Sequence, residues 1–495
     1  MNEQQYYFGN MDASDVAKLK DIKTLNELLD YCKVEFGDRD CLEDVGGKHT
    51  YNELIEDVGK ARGWLVKQGF KAGDHIALMF LNEYDFVKMF FAVETLGMVS
   101  VIFPIQLPMD ILPLMLKKYD CKALAHSRIL PLTDAIGVKT VAGNLASDAF
   151  VEPYEVDGSA PACIIFTGGT TGKQKGVVLS QNNLCVGMKN GALGTKNVFF
   201  NKYLAIIPFS HVFGLIRSLL TAFYTGSCVF TCDNPKNLLR DLDLSKPSTL
   251  ILVPALAEMV FGLMMMKGRE FLPNLTTIIC GAANVPPVLF ERFKKFGVDV
   301  FPGYGLTESS NLVSGNVHPI QKPTSVGMPY PHQELKVVDK ELWIKGDNIM
   351  LEYYKDPEAN AEAFEDGWFK TGDLVAFDED GELYIIGRKK NLIILSNGEN
   401  VSPEEVEEQI KLDPEVKDVL VFEDSNNGMP CLAAEIYPQK QLLDACSDEE
   451  LQAKMNDVVK RANDKMPSFM SVVKVYVRRE DFPRSGSMKI IRGKK

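Results

Sequence analysis

The run Phe166-Thr167-Gly168-Gly169-Thr170-Thr171-Gly172-Lys173-Gln174-Lys175-Gly176 collects the residue types that hold a chain of phosphates. Glycines let the backbone approach phosphate oxygens closely, threonine hydroxyls donate hydrogen bonds, and a lysine adds charge. The strand-like run Ala162–Phe166 leads into it. A Walker A loop is the rival reading, and it fails at two positions. Thr167 stands where the first glycine belongs, and Gln174 replaces the Ser or Thr that follows Gly172-Lys173. Val177-Val178-Leu179 also reads as a strand, whereas a Walker A loop opens directly into a helix. On composition alone, a plain hairpin turn stays open.

Four other stretches carry reactive side chains, each with an ordinary reading beside it. They are Pro208-Phe209-Ser210-His211-Val212-Phe213-Gly214, Gly303-Tyr304-Gly305-Leu306-Thr307-Glu308, Trp368-Phe369-Lys370-Thr371-Gly372-Asp373 with Gly387-Arg388-Lys389-Lys390, and Pro483–Ile490 around Lys489. A lone histidine more often makes a structural hydrogen bond, and a threonine such as Thr307 often caps a helix. A Thr-Gly-Asp tripeptide is a common turn, a basic cluster is usually solvated, and a terminal lysine usually keeps a tail soluble.

The elements that must position these residues alternate between strand and helix. Tyr51–Lys67 and Glu83–Leu96 have helical periodicity. His75–Phe80, Val99–Phe103, Tyr203–Ile207, Leu250–Val253 and Thr277–Cys280 are short continuous apolar runs. Such runs alternating with helices predict sheets covered on both faces, an α/β architecture. After about Glu341 the texture changes to short strands with turns, at Leu342–Lys345, Val375–Phe377 and Glu382–Ile386. The last hundred or so residues read as a small α+β unit. Helix Pro403–Lys411 opens on a Ser402/Glu405 capping box, followed by strands Val419–Phe422 and Cys431–Tyr437, helix Asp448–Lys465 and strand Val472–Val477. The expected division is a large N-terminal domain over 1–388, including the β-rich subdomain, and a small C-terminal domain over 389–495.

Composition narrows the function. A chain of 495 residues exceeds what one hydrophobic core supports, and 46% hydrophobic with 24% charged residues is ordinary for a globular protein. A net charge of −13 disfavours a general nucleic-acid binder. The apolar stretch Ile251–Met266 is broken by Pro254, Glu258 and Gly262, so no integral membrane segment is expected. Ten scattered cysteines without a CxxC pair read as reduced thiols of a cytoplasmic protein, and six histidines show no metal-ligand spacing. The Met264-Met265-Met266 run reads as core packing.

Taken in order, these motifs resemble the adenylate-forming superfamily of acyl- and aryl-CoA synthetases, peptide-synthetase adenylation domains and firefly-type luciferases. The likeness covers nearly the whole chain. It implies ATP and Mg²⁺ as cofactors, with CoA or a carrier-protein pantetheine as acceptor. Thr167, Gly168, Gly169, Thr170, Thr171, Gly172 and Lys175 would cradle the phosphates. Gly281, Ala282, Ala283, Gly303, Tyr304 and Gly305 would hold the adenosine. Thr307 would reach the α-phosphate, and Glu308, with Thr170, the metal. Asp373 and Arg388 would bind the ribose, and His211 would gate the acyl pocket. Lys390 would be the hinge, and Lys489 the catalytic cation bridging carboxylate and α-phosphate, where it lowers their repulsion.

The chain departs from that pattern at Gly168 (usually Ser), Gln174 (Pro), Glu352 (Gly), Asn391 (Asp) and Met488 (Gly). Met488 stiffens the segment that carries Lys489. Ser210-His211 follows Phe209 where amino-acid-activating relatives place an aspartate, so an amino acid is disfavoured. Val212–Leu215, Val253–Ala255, Gly281–Ala283 and Asn311–Val313 would line an apolar pocket for a fatty or aryl acid. The expected function is an acid–thiol ligase of fatty acid metabolism that forms acyl-AMP and pyrophosphate and then passes the acyl group to CoA. A stand-alone enzyme that loads a carrier protein is one alternative. A non-catalytic ATP- or acyl-binding relative, altered around Met488, is another.

Overall fold

The computed structural model describes residues 17–130, 138–142, 149–167, 174–194, 198–394, 400–426, 429–484, 490 and 492. The chain divides into two compact units, Met1–Glu334 with Ile344–Phe369, and Leu335–Trp343 with Lys370–Lys495.

Two sheets organise the first unit. One has seven strands in the order Glu352–Tyr353, Gly176–Ser180, Pro161–Phe166, Val99–Ile102, His75–Met79, Cys121–His126 and Lys139–Ala142. From Pro161–Phe166 onward its pairings are parallel, and its first two pairings are antiparallel. The other has nine strands, running from Met328–Pro329 through Asp299–Tyr304, Thr277–Cys280 and Thr249–Leu252 to Gly47–Thr50. Alternation along each strand sends side chains to opposite faces. Ile76, Leu78 and Ile251 enter a core shared with the helices between the sheets, while Ala77, Met79, Leu250 and Leu252 pack against the outer helices. Helix Tyr84–Glu94 is apolar around most of its circumference, and every residue from Phe86 to Glu94 is buried, the signature of a helix enclosed on all sides.

Local signals set several boundaries. Thr50 with Glu53 and Ser180 with Asn183 form reciprocal capping boxes that start helices Tyr51–Lys67 and Gln181–Leu193. The expected box at Ser402 does not form. The Ser402 hydroxyl donates instead to the carbonyl of Ile386 at 3.0 Å and to Glu404. Gly387 explains this, because a Cβ there would stand 2.1 Å from the Ser402 hydroxyl, so the serine is engaged by the adjacent strand. The methionine run is also split: Met264 is in a core, whereas Met265 and Met266 are exposed.

The β-rich part forms a five-stranded sheet of Gln333–Val338, Glu341–Gly346, Trp368–Phe377 and Phe364–Glu365, with Leu383–Arg388 paired to Trp368–Phe377. In the second unit, strands Val416–Asn426, Met429–Pro438 and Val472–Val477 form a three-stranded sheet. It shares a core with helices Pro403–Lys411 and Asp448–Asn463 through Val406, Ile410, Val421, Ile436, Met455 and Val458. The mixed α/β and smaller α+β classes expected from sequence are those observed. No helix among the described residues is long and apolar enough to cross a membrane, and all ten cysteines are free.

Candidate active site

The glycine- and threonine-rich run lies between two antiparallel strands. Phe166 pairs with Gly176, and the N–H of Thr167 donates to the carbonyl of Lys175 at 3.1 Å. The chain leaves one strand and returns in the next, so the Walker A geometry, with its helix after the loop, is absent. Gly168, Gly169, Thr170, Thr171 and Gly172 lie outside the described residues, whereas Gln174 is exposed and Lys175 half-buried.

Strand Glu352–Tyr353 lies on the other side of Gly176–Ser180, with Tyr353 opposite Val177. The N–H of Tyr354 donates to Gly176 at 2.8 Å, and that of Leu351 to Val178 at 2.9 Å. This places the Tyr353 ring beneath Lys175, whose ammonium nitrogen sits 4.5 Å from the ring centroid. The Tyr353 hydroxyl donates to Oε1 of Glu308 at 2.7 Å. Lys175, Tyr353 and Glu308 therefore form one chain of contacts joining the glycine- and threonine-rich hairpin to the turn after Asp299–Tyr304.

That turn is tightly specified. The Leu306 carbonyl accepts from the N–H groups of Ser309 (3.2 Å) and Asn311 (2.9 Å). Ser310 and Asn311 take left-handed φ values of 50° and 79°, which are costly for residues other than glycine. A Cβ on Gly305 would fall 1.5 Å from the Asn311 carbonyl oxygen, so no other residue fits there. The Glu308 carbonyl is tied to the N–H of Met350 at 2.8 Å. Tyr304 and Thr307 are half-buried on either side of the glycine.

Gly281–Ala283 follows strand Thr277–Cys280, the parallel neighbour of Asp299–Tyr304, with Cys280 opposite Pro302. A Cβ on Gly281 would lie 3.3 Å from the Gly303 carbonyl oxygen and 3.6 Å from the Phe213 ring. Ala282 adopts a left-handed φ of 63°, and Ala283 is exposed. The Gly281, Gly303 and His211–Phe213 segments thus meet at the carboxyl ends of adjacent parallel strands, where open α/β sheets place their ligands.

His211 is half-buried, and its Nδ1 accepts the N–H of Phe213 at 3.1 Å. In that bond Nδ1 is the acceptor, the role of a ring nitrogen that carries no proton. The histidine segment is held by Asn82, whose amide donates to the carbonyls of Ala205 (2.9 Å) and Ile207 (3.0 Å) and accepts from the N–H of Phe209 (2.8 Å). Beyond it, Phe213–Leu220 winds as a wide π-type helix, a form found often at functional sites. Val212, Phe213, Leu215 and Val253 pack into the main core. Leu312 turns away from that set to pack with Leu193 and Tyr330.

In the second unit, Asp373 is 2% exposed and lies opposite Arg388 across two antiparallel strands. The guanidinium reaches Oδ1 through Nε at 2.5 Å and Oδ2 through Nη2 at 3.3 Å. Glu341 accepts from the N–H of Gly372 at 3.0 Å and from Lys389 at 2.9 Å. The Glu341 hydrogen bond holds the Lys389 ammonium above the ordinary lysine range. Lys390 is exposed in the short turn Lys389–Asn391, where the Asn391 side chain donates to Glu404. Lys489 and Met488 lie outside the described residues. The chain around them is anchored by Arg484 on Asp418 and Asp481, by the Arg484–Ile490 bridge, and by Arg492 on Glu407 (2.7 Å) and Glu404 (3.3 Å).

Among the described residues, no three Asp, Glu, His or Cys side chains converge to hold a metal. Apart from the Tyr353 bond, no other hydrogen bond reaches the half-buried Glu308 side chain among those residues. A single oriented carboxylate of this kind suits Mg²⁺, which keeps several waters and shares phosphate oxygens. It does not suit zinc, which takes three or four protein ligands. The motifs did not reveal Tyr353, Asn82 or Glu341 as supporting residues. Tyr353 and Glu308 are 45 positions apart, and only the strand pairing brings them together.

The family described as AMP-binding enzyme matches residues 31–354, more than half of the chain, and the AMP-binding enzyme C-terminal domain matches residues 390–495. An oxalate–CoA ligase of Arabidopsis thaliana is 30% identical over 445 residues, covering 81% of this chain and 86% of the relative. The long-chain-fatty-acid–CoA ligase FadD15 of Mycobacterium bovis is 27% identical, covering 84% of each. The o-succinylbenzoate CoA synthetase of Bacillus subtilis, solved with its acyl-adenylate intermediate, superimposes with a TM-score of 0.81 at 24% identity, over 94% of this chain and 96% of that one. The chain belongs to the AMP-binding enzyme family.

Proposed function

We propose that this protein is an ATP-dependent acid–thiol ligase that converts a fatty or aryl acid to acyl-AMP and then transfers the acyl group to CoA. The Lys175–Tyr353–Glu308 contact chain is the observation that carries this reading, because it unites a phosphate-binding hairpin with a metal-binding carboxylate. CoA is preferred over a carrier protein because the relatives compared are CoA ligases. Their acids differ from one another, so the acid class rests on the chain itself. No aspartate follows Phe209 to pair an α-ammonium, and Val212, Phe213 and Val253 are apolar.

In this mechanism an oxygen of the acid attacks the α-phosphorus of ATP and pyrophosphate leaves. Lys175 and the backbone amides of the hairpin hold the β- and γ-phosphates, and Thr307 donates to the α-phosphate. Tyr304 offers an aromatic face to the adenine, between Gly303 and Gly305 and beside Gly281–Ala283. Mg²⁺ on Glu308 would supply positive charge against the phosphates. Asp373, fixed by Arg388, accepts from the ribose hydroxyls. Lys489 supplies the cation between carboxylate and α-phosphate, and its role rests on sequence. His211 lines the acyl entrance and carries no acid–base task. We place the hinge at Lys390, between the domains 1–388 and 389–495. A turn about it separates a step that must exclude water from one that must admit a thiol.

The test is acid-dependent ATP–pyrophosphate exchange across fatty, aryl and amino acids, with Lys489→Ala in parallel. Exchange with a fatty or aryl acid, reduced about 10²–10³-fold in the variant, is the expected result. Exchange with amino acids alone overturns the substrate class. ATP binding without exchange for any acid favours a non-catalytic relative.

A further inference from the structure

Tyr353 is 6% exposed, and its backbone is clamped on both sides by one side chain. The Asn360 amide oxygen accepts from its N–H at 2.7 Å, and the amide nitrogen donates to its carbonyl at 3.0 Å. Asn360 sits on helix Pro357–Ala363, which Asp356 caps by accepting from the N–H of Ala359. The ring is therefore held by a strand pairing, a buried position and a two-point amide clamp.

That fixed ring stands between two opposite charges. The Lys175 ammonium is 4.5 Å from its centroid, and its hydroxyl is 2.7 Å from Glu308. Among the described residues, Lys175 and Glu308 make no ion pair with each other. A direct pair would neutralise the carboxylate that a divalent cation needs and the ammonium that phosphates need. A cation over a ring face is held weakly, so it remains able to move to a phosphate.

We propose that Tyr353 is a positioning residue: its hydroxyl aims Glu308 at Mg²⁺, and its ring keeps Lys175 poised for phosphate and out of an ion pair with Glu308. The inference rests on the nucleotide reading above and deepens it. The Tyr353 hydroxyl bonds to Glu308, so its signature lies in metal dependence.

The experiment is calorimetric titration of ATP without any acid, with saturating Mg²⁺ and again with chelator. Tyr353→Phe keeps the ring and removes the hydroxyl. It is expected to lower the Mg²⁺-dependent gain in ATP affinity about tenfold, the weight of one hydrogen bond to a charged group, while metal-free ATP affinity stays at the wild-type value. Tyr353→Leu removes the ring as well and is expected to lower metal-free affinity too, as Lys175 pairs with Glu308. Adding Lys175→Gln to Tyr353→Leu then restores part of the Mg²⁺-dependent gain. A Tyr353→Phe protein with the wild-type Mg²⁺ gain overturns the inference and leaves the functional reading intact. A wild type that binds no ATP overturns both. If Tyr353→Leu does not fold, the Tyr353→Phe comparison decides alone.

Discussion

Glu308 and Asp373 are the two carboxylates on which the nucleotide reading depends, and the protein holds them in opposite ways. Asp373 is buried, and both its oxygens face one guanidinium, that of Arg388. Glu308 is half-buried and takes its bond from a neutral phenol, that of Tyr353. A guanidinium neutralises its partner and leaves an oriented acceptor for neutral donors such as hydroxyls. A phenol orients a carboxylate without cancelling its charge. The donor's charge therefore separates a carboxylate suited to a divalent cation from one suited to a sugar.

The largest expected effect tests the Glu308 side of that contrast. Glu308→Gln keeps the size and the acceptor for Tyr353 but removes the charge. ATP–pyrophosphate exchange is expected to fall roughly 10²–10³-fold, with a melting temperature close to wild type. A variant that keeps its Mg²⁺-dependent rate would break the comparison. The Asp373 side should show the reverse pattern, in stability. Arg388→Ala removes the guanidinium from a buried carboxylate, at a cost of about 3 kcal/mol, measurable as a lower urea midpoint. Adding Asp373→Asn removes the stranded charge and should recover much of that loss. Equal losses in the single and double variants would show that the pair is not coupled.

Glu407 gives the smallest and most graded test. It has a guanidinium partner, Arg492 at 2.7 Å, yet burial still pushes its carboxyl up to about 7. The folded protein thus holds this proton more tightly than the unfolded chain. The stabilisation is complete below about pH 4.5 and disappears as pH rises through about 7. A shift of that size sets a ceiling of about 3 kcal/mol, and partial exposure reduces the expected value to about 1–2 kcal/mol. Thermal melts between pH 5 and 8 should show this decline in the wild type, with a flatter profile in Glu407→Gln. Parallel profiles would mean that Arg492 suffices to keep Glu407 ionised.

Periodicity and apolar runs identified helix Tyr51–Lys67, strand Thr277–Cys280 and the late strand Val472–Val477 because each is governed by its own residues. The antiparallel return at Gly176–Ser180 was also legible, since Val177 and Val178 are β-branched and, with Leu179, form an apolar run that leaves no helix start. What stayed hidden was non-local. Ser402 and Glu405 have the spacing of a capping box, but Gly387 brings another strand against the serine hydroxyl. Met265 and Met266 belong to an apolar run, yet helical rotation turns them outward while Met264 faces in. The motifs named candidate ligand-binding residues. Tyr353, Asn82, Glu341 and Asn360 hydrogen-bond to those residues or their segments from a distance in sequence, and only strand pairing and side-chain hydrogen bonds show them.

Attack by an oxygen of the acid on the α-phosphorus of ATP can be followed with an oxygen label. With the acid that supports exchange, its carboxylate enriched in ¹⁸O, one turnover to the thioester should place one label in AMP, read by mass spectrometry. Label in inorganic phosphate or pyrophosphate, with AMP unlabelled, would mean attack at another phosphorus and would contradict an acyl-AMP intermediate.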